Sequence, residues 1–228
     1  ELKEGKGGFT YVNKKILEIV ESERDESVDI VVTGYPAFLA QLEQFSALVE
    51  KWNPHINLVS KSTIPDIWNR HVVDSAQLFQ FANYAPKTWL DIGSGGGFPG
   101  IVMAVIALEK SPVTKFTFIE SDQRKSTFLR AAARELGLQV EILAERVEDV
   151  PPQNADVVTA RALAALSELF PYLQRHLADG GCAILPKGKT YQDEIKAARQ
   201  DWRFEIKSHP SMTDQQAQIL IVKDIHRD

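Results

Sequence analysis

Lys-Thr-Trp-Leu-Asp-Ile-Gly-Ser-Gly-Gly-Gly-Phe-Pro-Gly, residues 87–100, is the stretch from which the fold is read. Trp89, Leu90 and Ile92 make a short apolar run that predicts a buried strand with Asp91 at its end. Five glycines follow within eight residues: Gly93, Gly95, Gly96, Gly97 and Gly100. Pro99 then opens an apolar run through Ile101, Val102, Ala104, Val105 and Leu108, as proline does in a first helical turn where its missing N–H is no loss. Strand, glycine turn and helix in that order let the backbone approach a ligand closely. Without a ligand, so many glycines would lose unfolded-chain entropy for no packing in return.

Downstream, the same alternation continues, which is the signature of a parallel sheet covered by helices. Strands are expected at 115–120, 140–143, 156–160 and 181–185, with helices from Ser121 or Asp122 to Leu136, around 164–177 and near 190–200. Gly137 stands where a helix C-cap wants it. Two last strands, 203–208 and 218–223, are close enough in sequence to pair antiparallel. Upstream, Phe38, Leu42, Phe45, Val49 and Trp52 form an apolar stripe that predicts a helix over 33–53, capped by Thr33, with Pro36 in its first turn and Asn53-Pro54 stopping it. A second helix is expected over 63–79. There, Arg70 and Asp74 lie four apart, as do His71 and Ser75, and spacing alone favours an exposed ion pair over polar groups facing a cleft. Val12, Ile16, Ile19 and Val20 suggest a modest amphipathic helix, and 21–27 a solvated linker. The expected division is a polar extension (1–30), a helical region (31–84) and a Rossmann-like domain (85–228).

Composition narrows the function classes. Of 228 residues, 44% are hydrophobic and 25% charged, which suits a globular protein with a large core. No run of about eighteen apolar residues predicts a membrane span, and the first residues lack the apolar core of a secretory signal. Cys182 is the one cysteine and the five histidines show no ligand spacing, so no disulfide and no metal site are expected, and a cytoplasmic location fits. The net charge of −5 argues against a protein that grips naked duplex through phosphates.

Gly95-x-Gly97-x-x-Gly100 followed by Glu120 matches the dinucleotide fingerprint literally. Two features point elsewhere. Asp91 puts a carboxylate at the mouth of the turn, a poor neighbour for a pyrophosphate and a good one for an ammonium or sulfonium group. The chain also closes with an antiparallel strand pair instead of a second βαβαβ half. S-adenosylmethionine, a cation without phosphate, answers both. Asp91 would serve its amino-acid end directly or through water. The turn Gly93, Ser94, Gly95 and Gly97 would let the backbone approach, Glu120 would accept from the ribose hydroxyls, and Val147 and Glu148 would address the adenine. This motif alone leaves open a methyltransferase acting on a small molecule or a protein, a non-catalytic cofactor-binding or ribosome-assembly module, and, third, an NAD-dependent oxidoreductase.

Asp91-Ile-Gly-Ser-Gly-Gly-Gly-Phe-Pro-Gly100 resembles the cofactor motif of the bacterial small-subunit (16S) ribosomal RNA guanine-N7 methyltransferases, the glucose-inhibited division protein B family. Trp52-Asn53 with Asn57-Leu58, Arg70-His71-Val-Val-Asp74-Ser75, Arg146-Val147-Glu148, Arg161-Ala162-Leu163-Ala164 and Lys187-Gly188 are similar to further family motifs, so the likeness spans about residues 36–224. It implies a class I methyltransferase fold, an α/β seven-stranded, mostly parallel sheet with an antiparallel last strand and an N-terminal helical addition. It also implies cofactor contacts at Gly93, Phe98, Val147, Glu148 and Arg161. Glu120 stands where the family has aspartate, a change that keeps the ribose role.

Methylation at guanine N7 needs little proton chemistry, because N7 of neutral guanine already carries a free lone pair. Arg161 is expected to orient the cofactor or bond O6, Lys187 to contact a phosphate or base, and Asn57, His71 and Asp74 to line the acceptor side. Arg124, Lys125, Arg130, Arg134, Lys187 and Lys189 are the expected basic rim. An acidic chain acting on RNA would meet it within a ribonucleoprotein particle, where proteins and RNA shape supply recognition.

Overall fold

The computed structural model describes residues 14, 16–19, 37–82 and 86–228. The expectations for Val12, Val20, the 21–27 linker, Thr33 and Pro36 lie outside them. Residues 14 and 16–19 are helical, with Ile16 and Ile19 buried.

Seven strands form one sheet: β1 (Thr88–Ile92), β2 (Lys115–Ile119), β3 (Val140–Leu143), β4 (Ala155–Ala160), β5 (Leu177–Lys187), β6 (Trp202–Pro210) and β7 (Gln218–Arg227). Their order is β3-β2-β1-β4-β5-β7-β6. The pairs among β1 to β5 are parallel, and β7 runs antiparallel to both β5 and β6. Side chains alternate across this sheet and feed two cores. Trp89, Phe116, Phe118, Val157, Cys182 and Ile184 point to one face. Leu90, Ile92, Ile119, Val158, Ala183 and Leu185 point to the other. Because both faces are covered, β1 is an apolar run and not an alternating one.

Helix α1 (Ala37–Ile56), α2 (Gly100–Lys110) and α3 (Gln123–Glu135) cover the first face. The α1 stripe Phe38, Leu42, Phe45 and Val49 is buried as expected, each side chain contributing about 1.5–3 kcal/mol. Asn53-Pro54 does not stop α1. Pro54 sits in its last turn, and the helix ends instead where Asn57 takes a left-handed φ of 55° and donates its N–H to Asn53 O at 3.0 Å. The expected 63–79 helix is an irregular run, 3₁₀ over Lys61–Asp66, π over Trp68–Val73, α over Asp74–Ala76 and 3₁₀ over Gln77–Phe81. On the second face lie α4 (Leu166–His176) and α5 (Tyr191–Ala198).

Strand β5 begins four residues earlier than expected. Ala178-Asp-Gly-Gly reads as a turn, but a register shift between Ala155 and Val157 lets it pair, with the Gly181 Cα so near Ala155 O that a Cβ would stand 2.9 Å from it. The chain runs from β1 outward through β2 and β3, then returns to place β4 on the other side of β1. The carboxyl ends of β1 and β4 therefore border the crevice where ligands enter open α/β sheets.

Candidate functional site

Two cavities open at those strand ends and share one wall, Arg161, Ala162 and Leu163, which follows β4 directly. The smaller, of about 350 Å³, is lined by Gly93, Gly95, Glu120, Val147, Glu148 and Arg161, six of the residues expected to meet the cofactor. Lys125 lies on its edge. The larger, of about 810 Å³, gathers His71, Asp74, Arg161 and Lys187 with Thr63, Arg70, Glu194, Thr213 and Asp214.

Beneath the smaller cavity the glycine turn is held by its own hydrogen bonds. Gly93 N and Ser94 N both donate to Ile119 O, at 2.8 and 3.2 Å, tying the end of β1 to that of β2. Glu120, buried at that junction, accepts from Gly95 N at 2.7 Å and Asp122 N at 2.8 Å, one N–H to each carboxylate oxygen. Gly93 has a φ of 68°, a left-handed backbone that favours glycine, and a Cβ there would press on the tip of the Leu163 side chain at 2.8 Å. At Gly100 a Cβ would meet Asp91 Oδ2 at 2.7 Å.

Asp91 lies below the turn and not in the cavity. It is fully buried, with Oδ1 accepting from Thr159 Oγ1 at 2.7 Å, whose oxygen in turn accepts from Trp89 Nε1 at 3.1 Å. Oδ2 has no partner among the described residues. Burial pushes the Asp91 carboxyl up to about 6, against the lowering effect of the Thr159 bond. Ser94 and Gly97 also lie under the turn, Ser94 Oγ donating to Asp91 O at 3.1 Å and Gly97 packing on Ile101 and Phe45. Phe98 is buried behind the shared wall, 4.9 Å from Phe45 and 5.0 Å from His71 between ring centroids, with the Arg161 guanidinium 5.4 Å above its ring.

Arg161 is the hub of the larger cavity. Its Nη1 donates to Asp74 Oδ2 at 3.2 Å and its Nη2 to His71 Nδ1 at 3.0 Å. Because His71 Nδ1 accepts, Nε2 carries the proton and donates to Thr63 Oγ1 at 2.8 Å, and Thr63 Oγ1 donates to Ser60 O at 2.7 Å. Burial, then Arg161 and Arg70, lower the His71 pKa to about 4, which keeps the ring neutral. The expected surface pairing of Arg70 with Asp74 is thus replaced. Asp74 turns inward to Arg161, in a stretch whose first part winds as a π-helix and so departs from α-helical rotation.

Three further expectations meet surroundings that the sequence did not announce. Asn57 is exposed, ends α1 and lines neither cavity. Lys187 is largely buried and tethers a loop, Nζ donating to Ala164 O at 2.7 Å and pairing with Glu194 at 2.8 Å, while Glu194 also accepts from Leu166 N at 3.2 Å. The basic rim is partly committed elsewhere, Arg124 to Asp122 and Arg130 to Ile142 O. Glu194, Gln77 and Thr213 are ordinary polar residues in no motif, each with at least one partner distant in the chain: Leu166 N, Met212 N and Asp74 respectively. Among the described residues, no group of three or more His, Cys, Asp or Glu side chains could hold a metal ion, and no helix is long and apolar enough to cross a membrane.

A family profile described as GidB, rRNA small subunit methyltransferase G, matches residues 38–221. The chain belongs to the GidB family. Among curated relatives, a ribosomal RNA small subunit methyltransferase G of Cereibacter sphaeroides is 53% identical over 183 residues, 80% of this chain and 89% of that protein. Its counterpart in a Ruegeria strain is 49% identical over 191 residues, 83% of this chain and 92% of that one. Solved structures extend the likeness in fold. A methyltransferase from Geobacter sulfurreducens has a TM-score of 0.54 at 14% identity, covering 92% of this chain and 96% of its own. TYW2 from M. jannaschii, solved with AdoMet, has a TM-score of 0.51 at 15% identity, covering 75% of this chain and 78% of its own. GidB membership carries the class I methyltransferase fold that the sheet order displays.

Proposed function

We propose that this GidB protein transfers a methyl group from S-adenosylmethionine to N7 of a guanine in small-subunit (16S) ribosomal RNA. The observation that carries this reading is the shared wall: a glycine-turn cavity with a buried carboxylate and a polar cleft meet at Arg161–Leu163. S-adenosylmethionine supplies an electrophilic methyl on a sulfonium. The residues suit it. Each Glu120 oxygen has lone-pair capacity beyond its one backbone bond for a ribose hydroxyl. Gly93 and Gly95 leave room for the amino-acid end, and Val147 and Glu148 border the space for the adenine. Asp91 acts from below, its buried carboxylate facing the start of α2 and attracting the ligand's positive charge through the turn.

On the acceptor side, the arrangement supports positioning and not proton transfer. The His71 lone pair is taken by Arg161 and its pKa is low, so His71 holds the guanidinium and does not wait as a base. Arg161 uses two N–H groups on Asp74 and His71 and keeps others for guanine O6, which leaves N7 open. Methylated guanine is cationic, and the carboxylate of Asp214 in the cleft, which Arg161 does not pair, offsets that developing charge. Recognition of the acidic protein's RNA is completed by a ribonucleoprotein particle in the cytoplasm. The test is to map methylated nucleotides in small-subunit ribosomal RNA from cells with and without this gene, and to restore the mark with purified protein. Loss and restoration of one guanine-N7 mark is expected. An unchanged map overturns the reading.

A further inference from the structure

Gln77 is polar, fully buried and absent from both cavity walls, yet each arm of its amide is engaged. Its Nε2 shares two N–H groups among three acceptors, Asp74 O and Asp74 Oδ1, both at 3.0 Å, and Ser211 Oγ at 3.2 Å. Its Oε1 accepts from Met212 N at 2.8 Å. Ser211 and Met212 begin the link between β6 and β7, and Thr213 in the same link donates to Asp74 Oδ1 at 2.6 Å. Asp74 Oδ1 is thereby filled by Gln77 and Thr213, and Oδ2 is left for Arg161.

We infer that Gln77 is a positioning residue for methyl transfer, aiming the Asp74 carboxylate at Arg161 and clipping the link after β6 beside the acceptor cleft. This rests on the reading of that cleft as the acceptor site. The chemistry requires an amide. Asp74 O and Oδ1 are acceptors and need a donor, while Met212 N needs an acceptor, and glutamine presents both within one planar group. A buried side chain that only filled space would not need either, and buried polar networks of this kind fix one geometry when every member is satisfied. The cofactor cavity shares no residue with the network except through Arg161, so the amide governs the acceptor side.

Gln77→Glu is the decisive variant because it keeps shape and reverses polarity at Nε2. An ionised Glu oxygen would face the carboxylate and carbonyl of Asp74, with Arg161 and, behind it, His71 as the other charged or titratable groups nearby. Methylation of purified small subunits and calorimetric binding of S-adenosylhomocysteine are measured from pH 8 to pH 6, with Gln77→Leu and Thr213→Val alongside. At pH 8 the expected kcat of Gln77→Glu is at least about tenfold below wild type, with S-adenosylhomocysteine affinity within about twofold. Its rate should recover as pH falls, since a protonated carboxyl donates to Asp74 again. Gln77→Leu should lose rate without that recovery, and Thr213→Val should lose about threefold, on the scale of one hydrogen bond. A Gln77→Glu rate equal to wild type at pH 8 overturns the inference, as does a loss of cofactor affinity in step with rate. Should both Gln77 variants fail to fold, a wild-type rate for Thr213→Val overturns it as well. Wild-type protein that leaves small subunits unmethylated sinks the proposed function itself, whereas active wild type beside unaffected variants sinks this inference alone.

Discussion

The smaller cavity and the larger one differ in how far their hydrogen bonds reach along the chain. Glu120 holds Gly95 across 25 residues, within two adjacent strand ends, and its other oxygen holds Asp122 two residues on. In the acceptor cleft, Arg161 reaches Asp74 across 87 residues and Thr213 reaches it across 139. The first cavity is a local turn braced by the core, with Asp91, Ser94 and Glu120 all buried. The second is assembled from four separate segments whose agreement depends on a few polar side chains. Changes in the first should therefore act on cofactor affinity, and changes in the second on the rate with RNA. Arg161, on the wall between them, is where both should be felt.

Arg161→Ala carries the largest expected effect. It removes two hydrogen bonds involving a charged group, each worth about 1.5–3 kcal/mol, and leaves Asp74 without its cation. Methyl transfer should fall at least about 100-fold, with cofactor affinity also reduced but by less. Single-turnover methylation beside calorimetric cofactor binding separates the two, and a loss confined to cofactor affinity breaks the proposed division of labour.

Glu120→Gln tests the cofactor half alone. Both Glu120 oxygens accept a backbone N–H, so the amide NH₂ of glutamine must oppose one donor and leave it unsatisfied, at about 1–3 kcal/mol. The dissociation constant for S-adenosylhomocysteine should rise about 10- to 100-fold, while RNA affinity stays unchanged. Equal weakening toward RNA would show that the two cavities are not separable.

Lys187→Ala sharpens the acceptor half, because a loop tether and a phosphate contact predict different salt behaviour. As a tether on Ala164 O and Glu194, Lys187 should lower the methylation rate about tenfold when removed, with cofactor affinity unchanged. It should also leave the salt dependence of RNA binding as it was. A lysine bound to phosphate would instead reduce the salt slope by about one, and that result would reinstate the expected RNA contact.

How much of this was legible follows from the same contrast in reach. Strands β1 to β4 were read to within one or two residues, because apolar runs bounded by glycine and charge are local signals. Glu120 was legible by its spacing from the glycines. His71 and Asp74 were visible as polar residues four apart from others, but the π stretch Trp68–Val73 turns them in a way that α-helical spacing does not predict. Lys187 was noticed at the end of β5, yet its partner Ala164 O is a backbone atom, which no side-chain pattern announces. Gln77, Glu194 and Thr213 carry no motif. The roles of Gln77 and Thr213 arise only once the link between β6 and β7 folds back beside the helical region, and that of Glu194 only once α5 packs beside Lys187 and Leu166.

The smallest expected effect sets the two halves against each other in pH. Asp91, under the glycine turn, has its carboxyl raised from 3.8 to about 6 by burial. The folded state then holds a proton that the unfolded chain releases, so this stability is full below about pH 4 and is lost as pH rises through 6. His71, beside the cleft, has its pKa lowered from 6.5 to about 4. Its contribution is full above pH 6.5 and is lost as pH falls toward 4. Between pH 4 and 6 the two slopes oppose and flatten the wild-type curve. Relative to wild type, Asp91→Asn should therefore lose melting temperature on acidification from pH 7 to pH 4, because only the His71 penalty remains. His71→Gln should gain over the same range, because the Asp91 term is left unopposed. Thermal denaturation across that window checks both signs, and variant curves parallel to wild type would mean that neither group titrates in its buried setting.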